Sequence, residues 1–479
     1  MAEPQAPLAP QLAQFATSLA PDRLPPEVTA SVCDRILDIA GLCVAAQDLP
    51  TSAAIRAYVA SQQGPAQAHA VGFPTATSAP LAALINGVLA HSLDWDDTHL
   101  PSVVHPSASV VPAGLAAAEF AGATGPQLVT AVAAGLEVCV RIGMAGFNPT
   151  TGNSVYFEHG QHATSICGTI GSAVTAGLLI GLSPAQLTDA IGIAASMASG
   201  VIEANRTGGT VKRLHCGWAA HAGISAAQLA QHGFTGPPTV LEGRFGLFEA
   251  LLRDQADPAQ VVEGLGKVWS VPGIFFKPYP ANHFTHTAID AGLALRARGV
   301  TADQVEAITL LVPGPVIRTI GQPIEVKRAP ETGYQAQFSG PYAVVAGLLG
   351  GGGLGVGTAD FTDELARDPA RRELMAKVTV AADPRCDAIF PYQFPAVVRL
   401  RTRDGRELVE EVLSNRGGPQ RPLSRAELAR KFRQTTAGRL PLPRAAEVED
   451  LVRRLPDRAD PARLSRLLSG AAPVGGGPS

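Results

Sequence analysis

Apolar positions along the first half of the chain repeat at three- and four-residue intervals, which predicts α-helices. Segments such as SVCDRILDIAGLCVAA, APLAALINGVLAHSLD, PQLVTAVAAGLEVCVRIG and PAQLTDAIGIAASMASG follow this spacing between residues 26 and 264. Several of them begin with a Ser or Pro that suits a helix cap or a first turn. The pattern therefore predicts a helical body.

The pattern changes after Trp269, where shorter apolar runs replace the long helical ones. VEAITLLV (Val305–Val312) and KVTVAAD (Lys377–Asp383) predict strands. VVRLRTRDGRELVEEV predicts a hairpin, because apolar and polar residues alternate on both sides of Asp404 and Gly405, a pair that suits a tight type I′ turn. Helical spacing returns after NRGGPQRP.

These patterns predict a mainly α fold with two domains. Residues 1–271 and 413–469 form the large helical domain, since the C-terminal helices are expected to rejoin the first body. Residues 272–412 form a smaller α+β domain. The Gly-rich end, 470–479, is predicted to be a flexible tail.

Composition and charge exclude several classes of protein. The 479 residues are 46% hydrophobic and 16% charged, with a net charge of -3 and no basic stripe, so nucleic acid is not an expected partner. The six cysteines include no CxxC pair, and the N-terminus lacks the order of a signal peptide, so we expect a reduced cytoplasmic protein. Two uncharged stretches, Ser165–Gln186 and Pro341–Ala359, are predicted to be buried helices rather than membrane spans.

The densest polar cluster follows an apolar helix, in HSLDWDDTHLPSVVHPSA. It contains three histidines, three aspartates and a threonine: His91, Asp94, Asp96, Asp97, Thr98, His99 and His105. Such a group could perform acid/base chemistry, hold a metal ion, or only cap the helix and satisfy a buried loop. No HExxH motif or second carboxylate cluster supports a metal, so we expect none.

A second segment, YFEHGQHATS, precedes the long uncharged helix. It carries Glu158, His159 and His162. Because a helix N-terminus attracts anions, His162 could add a hydrogen-bond donor to a bound carboxylate. The alternative is a structural cap built by Thr164 or Ser165.

Two later segments add cations and imidazoles. The members of GGTVKRLHCGWAAHAG and FFKPYPANHFTHTAIDA that could bind an anion are Lys212, Arg213, His215, His221, Lys277, Asn282, His283 and His286. A substrate with two or three carboxylates needs charge placed in this way, although Lys212 and Lys277 could also be solvated surface charges.

Taken in order, AHSLDWDDTH, HPSA, GQHATS, GGTVKRLHCGWAA, KPYPANHFTH and QFSGPYAV resemble the MmgE/PrpD family. This family includes 2-methylcitrate dehydratases, cis-aconitate decarboxylases and iminodisuccinate epimerases. The resemblance covers most of the chain. It implies a helical domain made from both ends, an α+β lid domain, a homodimer, and catalysis without metal or cofactor.

The resemblance also implies roles for individual residues. It assigns the catalytic set to Asp94, Thr98, His105, His162, Lys212 and Lys277. The expected substrate-binding residues are Asn282, His283, His215, Arg213 and Tyr342. His105 is the first choice for moving a proton next to a carboxylate, since imidazole titrates near neutral pH, and Asp94 could orient it or raise its pKa.

Two positions depart from the family pattern. Decarboxylases of the family resemble one another in having a histidine where this chain has Asn282, with His283 one residue later, and relatives often have lysine where it has Gln337. Asparagine cannot act as an acid. This substitution favours dehydration, isomerisation or epimerisation over decarboxylation unless His283 takes the place of the missing histidine. The leading hypothesis rests on the cations and imidazoles and is a lyase on a small polycarboxylate, by dehydration or decarboxylation. An isomerase or epimerase, and a non-catalytic carboxylate-binding homodimer, remain alternatives.

Overall fold

The computed structural model describes residues 6–204 and 208–470. By its internal contacts the chain divides into two compact units, Met1–Ile274 with Phe432–Ser479, and Phe275–Lys431. The structure is 58% helical and 8% strand, which confirms the predicted mainly α fold. The predicted tail lies outside the described residues apart from Gly470.

The first unit is built from helices, with one short antiparallel pair of strands. Its helices up to residue 262 are α1 (Leu8–Ser18), α2 (Pro26–Ala45), α3 (Pro50–Gln62), α4 (Ala79–His91), α5 (Ser107–Ala121), α6 (Gly125–Met144), α7 (Val155–Glu158), α8 (Ala163–Leu179), α9 (Pro184–Met197), α10 (Val211–Gln231), α11 (Leu247–Leu251) and α12 (Ala259–Val262). The strand pair is β1 (Phe147–Asn148) and β2 (Asn153–Ser154).

The second unit has a four-stranded mixed sheet with helices packed against it. Its strands are β3 (Val305–Val312), β4 (Val378–Ala382), β5 (Ala396–Thr402) and β6 (Glu407–Val412), in the order β4-β3-β5-β6. Its helices are α13 (His286–Ala297), α14 (Ile317–Ile320), α15 (Ile324–Arg328), α16 (Gly333–Ala336), α17 (Gly340–Leu349), α18 (Asp363–Ala366), α19 (Pro369–Ala376) and α20 (Pro384–Asp387). Strands β3 and β4 are parallel, and the other neighbours are antiparallel.

Within the described residues, three further helices follow: α21 (Arg425–Thr436), α22 (Leu442–Arg453) and α23 (Pro461–Ser469). The last two belong to the first unit, so the chain returns to its helical body. Residues 413–431, however, belong to the second unit rather than to the helical domain in which the sequence placed them. Arg421 explains this difference, because its guanidinium lies 3.1 Å from the carboxylate of Asp290 in α13 and anchors the segment there.

The predicted hairpin forms between β5 and β6, but its turn differs from the expected type. A type I′ turn needs positive φ at both central residues, and in this turn only Gly405 has it, at 86°. The Asp404 carboxylate accepts hydrogen bonds from Thr402 Oγ1 and Arg406 Nε. These bonds stabilise a four-residue loop, closed by the Thr402 N–H to the Arg406 carbonyl at 3.0 Å.

One described helix, α6, is long and apolar enough to cross a membrane by length and composition alone. In its most apolar window, 89% of residues are buried inside the protein. Its Glu137 and Arg141 form a buried ion pair with 2.6 Å between Oε1 and Nε. A buried core helix has these same properties. Of the two uncharged stretches considered above, Ser165–Gln186 covers α8 and the residues after it, and Pro341–Ala359 covers most of α17 and the loop that follows.

Candidate active site

Close packing of two helices brings the first and third polar segments together. A Cβ at Gly87 of α4 would lie 2.6 Å from the Cα of Gly217 in α10, so both positions require glycine for the backbones to approach. His91 ends α4 one turn after Gly87, and His215 lies two residues before Gly217. Close packing at these two glycines therefore also positions His91 and His215.

His105 lies just before α5 and is held through its Nδ1 atom. Nδ1 is 2.7 Å from the backbone oxygen of Asp97 and 3.1 Å from Thr98 Oγ1. Because a carbonyl oxygen can only accept, the proton of the neutral ring sits on Nδ1 and the lone pair on Nε2. A carboxylate oxygen of Asp96 is 3.9 Å from the same Nδ1. The neutral ring is thus in the tautomer whose Nε2 can accept a proton.

Asp96 also binds a second imidazole. Its Oδ2 lies 2.8 Å from His91 Nδ1, and both side chains are at most 1% exposed. The His105 side chain is 13% exposed. A small molecule can therefore reach His105, whereas His91 and Asp96 can act only through their neighbours. The role of Asp94 in orienting His105 remains a prediction, and Asp96 is the carboxylate that lies 3.9 Å from His105 Nδ1.

Asp97 is locked in place by groups from two other helices. Its Oδ2 is 2.6 Å from Arg35 Nη1 of α2, and its Oδ1 accepts from the Ser107 N–H at 3.2 Å. The Ser107 hydroxyl also donates to Oδ2. Arg35 and Asp97 are each 1% exposed, so this is a fully buried ion pair.

His162 and His215 form the second part of the cluster. Their Nδ1 atoms lie 2.8 Å apart, and their ring centroids lie 4.8 Å apart. Burial, with neighbouring imidazoles and Lys212 adding to it, holds the pKa of His162 well below 6.5. Burial, His91 and Lys212 together lower the pKa of His215 to about 4. Both rings are neutral near pH 7, and one donates its Nδ1 proton to the other.

The structure does not support the capping alternative for this segment. His162 is itself the N-terminal cap residue of α8. Thr164 Oγ1 accepts from the His105 N–H at 3.1 Å, and Ser165 Oγ donates to the His215 backbone oxygen at 3.3 Å. Both hydroxyls therefore bind the backbone of other candidate site residues.

Lys212 brings a positive charge to this cluster from the first turn of α10. Its Nζ lies 3.4 Å from Asp94 Oδ1, and the Lys212 side chain is 16% exposed. Asp94 has a left-handed backbone with φ of 51°, which is uncommon for a residue other than glycine. Arg213 is the next residue of the same helix and is partly exposed. Lys212 is therefore a partly desolvated cation, not a solvated surface charge.

Three of these groups could hold a metal ion. One ligand atom each from His91, Asp96 and Cys216 lie within 4.8 Å of one another. Burial, with the charges of Asp96 and Asp97 adding to it, raises the pKa of the Cys216 thiol well above 9. Metal ions bind the thiolate, and the raised pKa keeps Cys216 as the neutral thiol, so Cys216 is a poor metal ligand here. The expected absence of a metal remains a prediction.

The remaining predicted residues belong to the second unit. Lys277 and His283 are buried, and the His283 ring packs against Phe275 and Phe394 with centroids 5.9 and 5.6 Å away. Asn282 caps the turn that follows it, since its Oδ1 accepts from the Phe284 N–H at 3.0 Å.

Tyr342, which was expected to bind substrate, lies in the core of the second unit. Its hydroxyl donates to the Asp360 backbone oxygen at 2.6 Å and lies 3.3 Å from an Arg371 nitrogen. The side chain is fully buried in the core of the second unit. The structure thus gives the Tyr342 hydroxyl partners within the second unit, and the role of this residue in substrate binding remains a prediction.

Sequence reasoning named His91, Asp96 and Asp97 as members of a cluster but gave them no role, and it did not identify Arg35. The sequence does contain a pattern that points to Arg35. Val28, Val32, Arg35, Ile39 and Leu42 fall on one face of α2 at helical spacing, and all are buried. An arginine on an apolar stripe predicts a buried anionic partner.

Comparisons with known proteins agree with the resemblance seen in the sequence. The model of the MmgE/PrpD N-terminal domain matches residues 10–259, and that of the MmgE/PrpD C-terminal domain matches residues 279–457. Cis-aconitate decarboxylase of Mus musculus is 30% identical over 404 residues, which cover 81% of this chain and 78% of the relative. The Homo sapiens enzyme is 30% identical, with 82% and 80% covered.

A fungal relative extends the similarity to nearly the whole chain. Cis-aconitate decarboxylase of Aspergillus terreus is 26% identical over 477 residues, which cover 96% of this chain and 95% of the relative. Both family domains are thus present in order, and the predicted family is confirmed. The chain belongs to the MmgE/PrpD family.

Proposed function

We propose that this chain is a cofactor-independent lyase that acts on a small di- or tricarboxylate. The reaction is decarboxylation of a cis-aconitate-type acid or dehydration of a 2-methylcitrate-type hydroxy acid. The observation that carries the proposal is the cluster of Lys212 with His105, His162 and His215, built on the elements of one unit. Relatives named as cis-aconitate decarboxylases over most of the chain support the same reaction class.

Charge and hydrogen bonding in this cluster suit a carboxylate. Lys212 supplies a positive charge, and its partial burial strengthens its attraction for an anion. His162 and His215 are neutral near pH 7, so they offer N–H donors without adding charge. A bound carboxylate would either replace Asp94 as the partner of the Lys212 ammonium group or bind that group together with Asp94. Lys277 would add a second cation, a role that rests on the family resemblance.

His105 fits the proton-transfer step. In dehydration, its Nε2 lone pair takes a proton from the carbon next to a carboxylate. The C–O bond to the hydroxyl group then breaks, and the departing hydroxide takes a proton from the imidazolium to leave as water. In decarboxylation, the C–C bond to the departing carboxylate breaks, and the resulting carbanion takes a proton from His105 in its protonated form. In both reactions negative charge develops on the remaining carboxylate as an enediolate, which Lys212 stabilises.

A homodimer and a cytoplasmic location belong to the same proposal and rest on the sequence analysis. One exposed apolar stripe fits a self-contact: Val211, Leu214 and Trp218 follow one face of α10 and are 38 to 45% exposed. The molar mass from light scattering tests the dimer. The parent is expected at twice the 49.4 kDa chain mass, and the Trp218→Glu variant at a lower value.

Proton NMR in deuterated water tests the reaction with cis-aconitate, 2-methylcitrate, citrate and iminodisuccinate as substrates. Itaconate from cis-aconitate would establish decarboxylation, and an unsaturated acid from 2-methylcitrate or citrate would establish dehydration. Deuterium exchange into recovered substrate without elimination would indicate an isomerase or epimerase and contradict the lyase. Binding of these acids without exchange or turnover would favour the non-catalytic alternative.

A further inference from the structure

A dense set of polar contacts in the candidate site surrounds Asp97, which is not among the residues that the family resemblance assigns. Three donors bind its carboxylate: Arg35 Nη1 at 2.6 Å, the Ser107 N–H at 3.2 Å, and the Ser107 hydroxyl. The backbone oxygen of the same residue accepts the Nδ1 proton of His105 at 2.7 Å. One residue thus joins a buried ion pair to the candidate base.

Arg35 also binds the backbone near the end of the first segment of its unit. Its Nη2 lies 2.7 Å from the Ile274 oxygen and 3.2 Å from the Val271 oxygen. Ile274 is the last residue of the first of the two segments that make up that unit, and Lys277 follows three positions later in the sequence. The planar guanidinium suits this set of contacts because it presents several donors in fixed directions.

We propose that Arg35 and Ser107 are positioning residues that hold the Asp97 carbonyl where it fixes His105 in its Nδ1–H tautomer. This inference rests on the proposed function only for the catalytic role of His105. The other tautomer would place the Nδ1 lone pair 2.7 Å from a carbonyl oxygen, and two acceptors at that distance repel one another. The clamp formed by Arg35, Ser107 and Asp97 therefore keeps the proton of the neutral ring on Nδ1 and the lone pair on Nε2, the nitrogen that takes the proton in the proposed reaction.

The contacts of Arg35 and Ser107 with Asp97 do more than stabilise the fold. A buried ion pair by itself is weak support for a fold, since apolar side chains of similar volume often stabilise as well. Here three donors fix both carboxylate oxygens, so the Asp97 backbone has little freedom to rotate its carbonyl away. Thr98 Oγ1, at 3.1 Å from the same Nδ1, adds a second oxygen whose hydroxyl can rotate to accept.

Nitrogen-15 NMR of protein labelled at histidine tests the tautomer directly, because protonated and unprotonated ring nitrogens differ widely in chemical shift. The His105→Gln variant assigns the signal among the eleven histidines. The parent is expected to show a protonated Nδ1 and an unprotonated Nε2 at His105. A protonated Nε2 in the neutral ring of the parent would overturn the inference, and this test needs no variant of the clamp to fold.

Ser107→Ala removes one donor and keeps the backbone contact, and Ser109→Ala is its matched control. Ser109 is buried two positions later in α5, and its hydroxyl bonds to the Pro106 oxygen instead of Asp97. We expect Ser107→Ala to populate the second tautomer and to lower kcat roughly tenfold with little change in KM. Ser109→Ala should match the parent in both measurements.

Arg35→Lys should change the His105 tautomer and lower kcat more strongly than Ser107→Ala does. An ammonium group can pair with Asp97 but cannot keep the planar set of contacts. A Ser107→Ala variant identical to the parent in tautomer and kcat would overturn the inference. The nitrogen-15 NMR measurement of the His105 tautomer does not require the protein to turn over a substrate. If the expected tautomer is found in a protein with no activity on any tested acid, the proposed function fails while the clamp stands.

Discussion

The Nδ1 atoms of His162 and His215 lie 2.8 Å apart in a buried part of the first unit. At this distance one nitrogen donates and the other accepts, so a single proton occupies the space between the rings. Burial and the neighbouring charges oppose a second proton, which is why the pKa values of both histidines fall. The pair is therefore a neutral hydrogen-bonding unit at the pH where Lys212 is charged.

This pair predicts that the protein loses stability in mild acid. Unfolded histidines take up protons near pH 6.5, whereas folded His215 does so only near pH 4. Between these values the unfolded state binds more protons, so the free energy of unfolding falls as the pH falls through this window. Each such histidine contributes at most about 1.4 kcal/mol per pH unit. His99, whose pKa burial and Arg35 lower to about 4, adds to the same loss.

Urea unfolding at pH 7 and pH 5 measures this effect. His215→Asn keeps a hydrogen-bonding group beside His162 but cannot titrate, so its stability should depend less on pH than that of the parent. The control is His232→Asn, because His232 is exposed, and it should behave as the parent does. Equal pH dependence in His215→Asn and the parent would contradict the assignment of a neutral pair.

Lys212→Met tests the anion-binding charge. The variant keeps the length and apolar stem of the side chain and loses the ammonium group. We expect kcat/KM for the polycarboxylate substrate to fall by about 100-fold or more, since the cation stabilises both the bound carboxylate and the enediolate. Lys267→Met, at an exposed position of the same unit, is the control. A fall of less than threefold in the Lys212 variant would remove this residue from the site.

Much of this architecture could be predicted from the sequence. Strand β3 has the predicted bounds, and α4, α8 and α10 begin or end beside the polar segments as the pattern indicated. The roles of Arg35 and Asp97 could not be predicted, because their contact joins positions 62 residues apart and depends on helix packing. The contacts of the Tyr342 hydroxyl could not be predicted either, because a sequence pattern does not show whether a hydroxyl is already bound within the core.

Chelation tests whether the group formed by His91, Asp96 and Cys216 holds a metal. We expect full activity after dialysis against EDTA and less than about 0.1 equivalents of any transition metal, because a buried neutral thiol is a poor ligand. Cys216→Ser should leave metal content unchanged. Stoichiometric zinc or iron, lost together with activity on chelation and in this variant, would make the enzyme metal-dependent.

Asn282→His tests the departure from the decarboxylase pattern. An imidazole can keep the cap on the Phe284 N–H through Nδ1 and can also carry an acidic proton, which the amide cannot. We expect CO2 release from cis-aconitate to rise at least about tenfold, as general acid catalysis would give. Asn282→Gln keeps the amide and is the control. An unchanged rate in Asn282→His, with folding intact, would mean that this position does not limit decarboxylation.

The central claim is that His105 moves the proton, and the His105→Gln variant tests it most directly. Glutamine keeps a hydrogen-bonding group near the Asp97 oxygen but has no titrating nitrogen. With the substrate that the NMR panel identifies, we predict a fall in kcat of at least about 100-fold, as loss of general acid–base catalysis gives. The melting temperature should stay near that of the parent, and His159→Gln, at an exposed position, should retain activity. A folded His105→Gln protein with kcat within threefold of the parent would contradict the account.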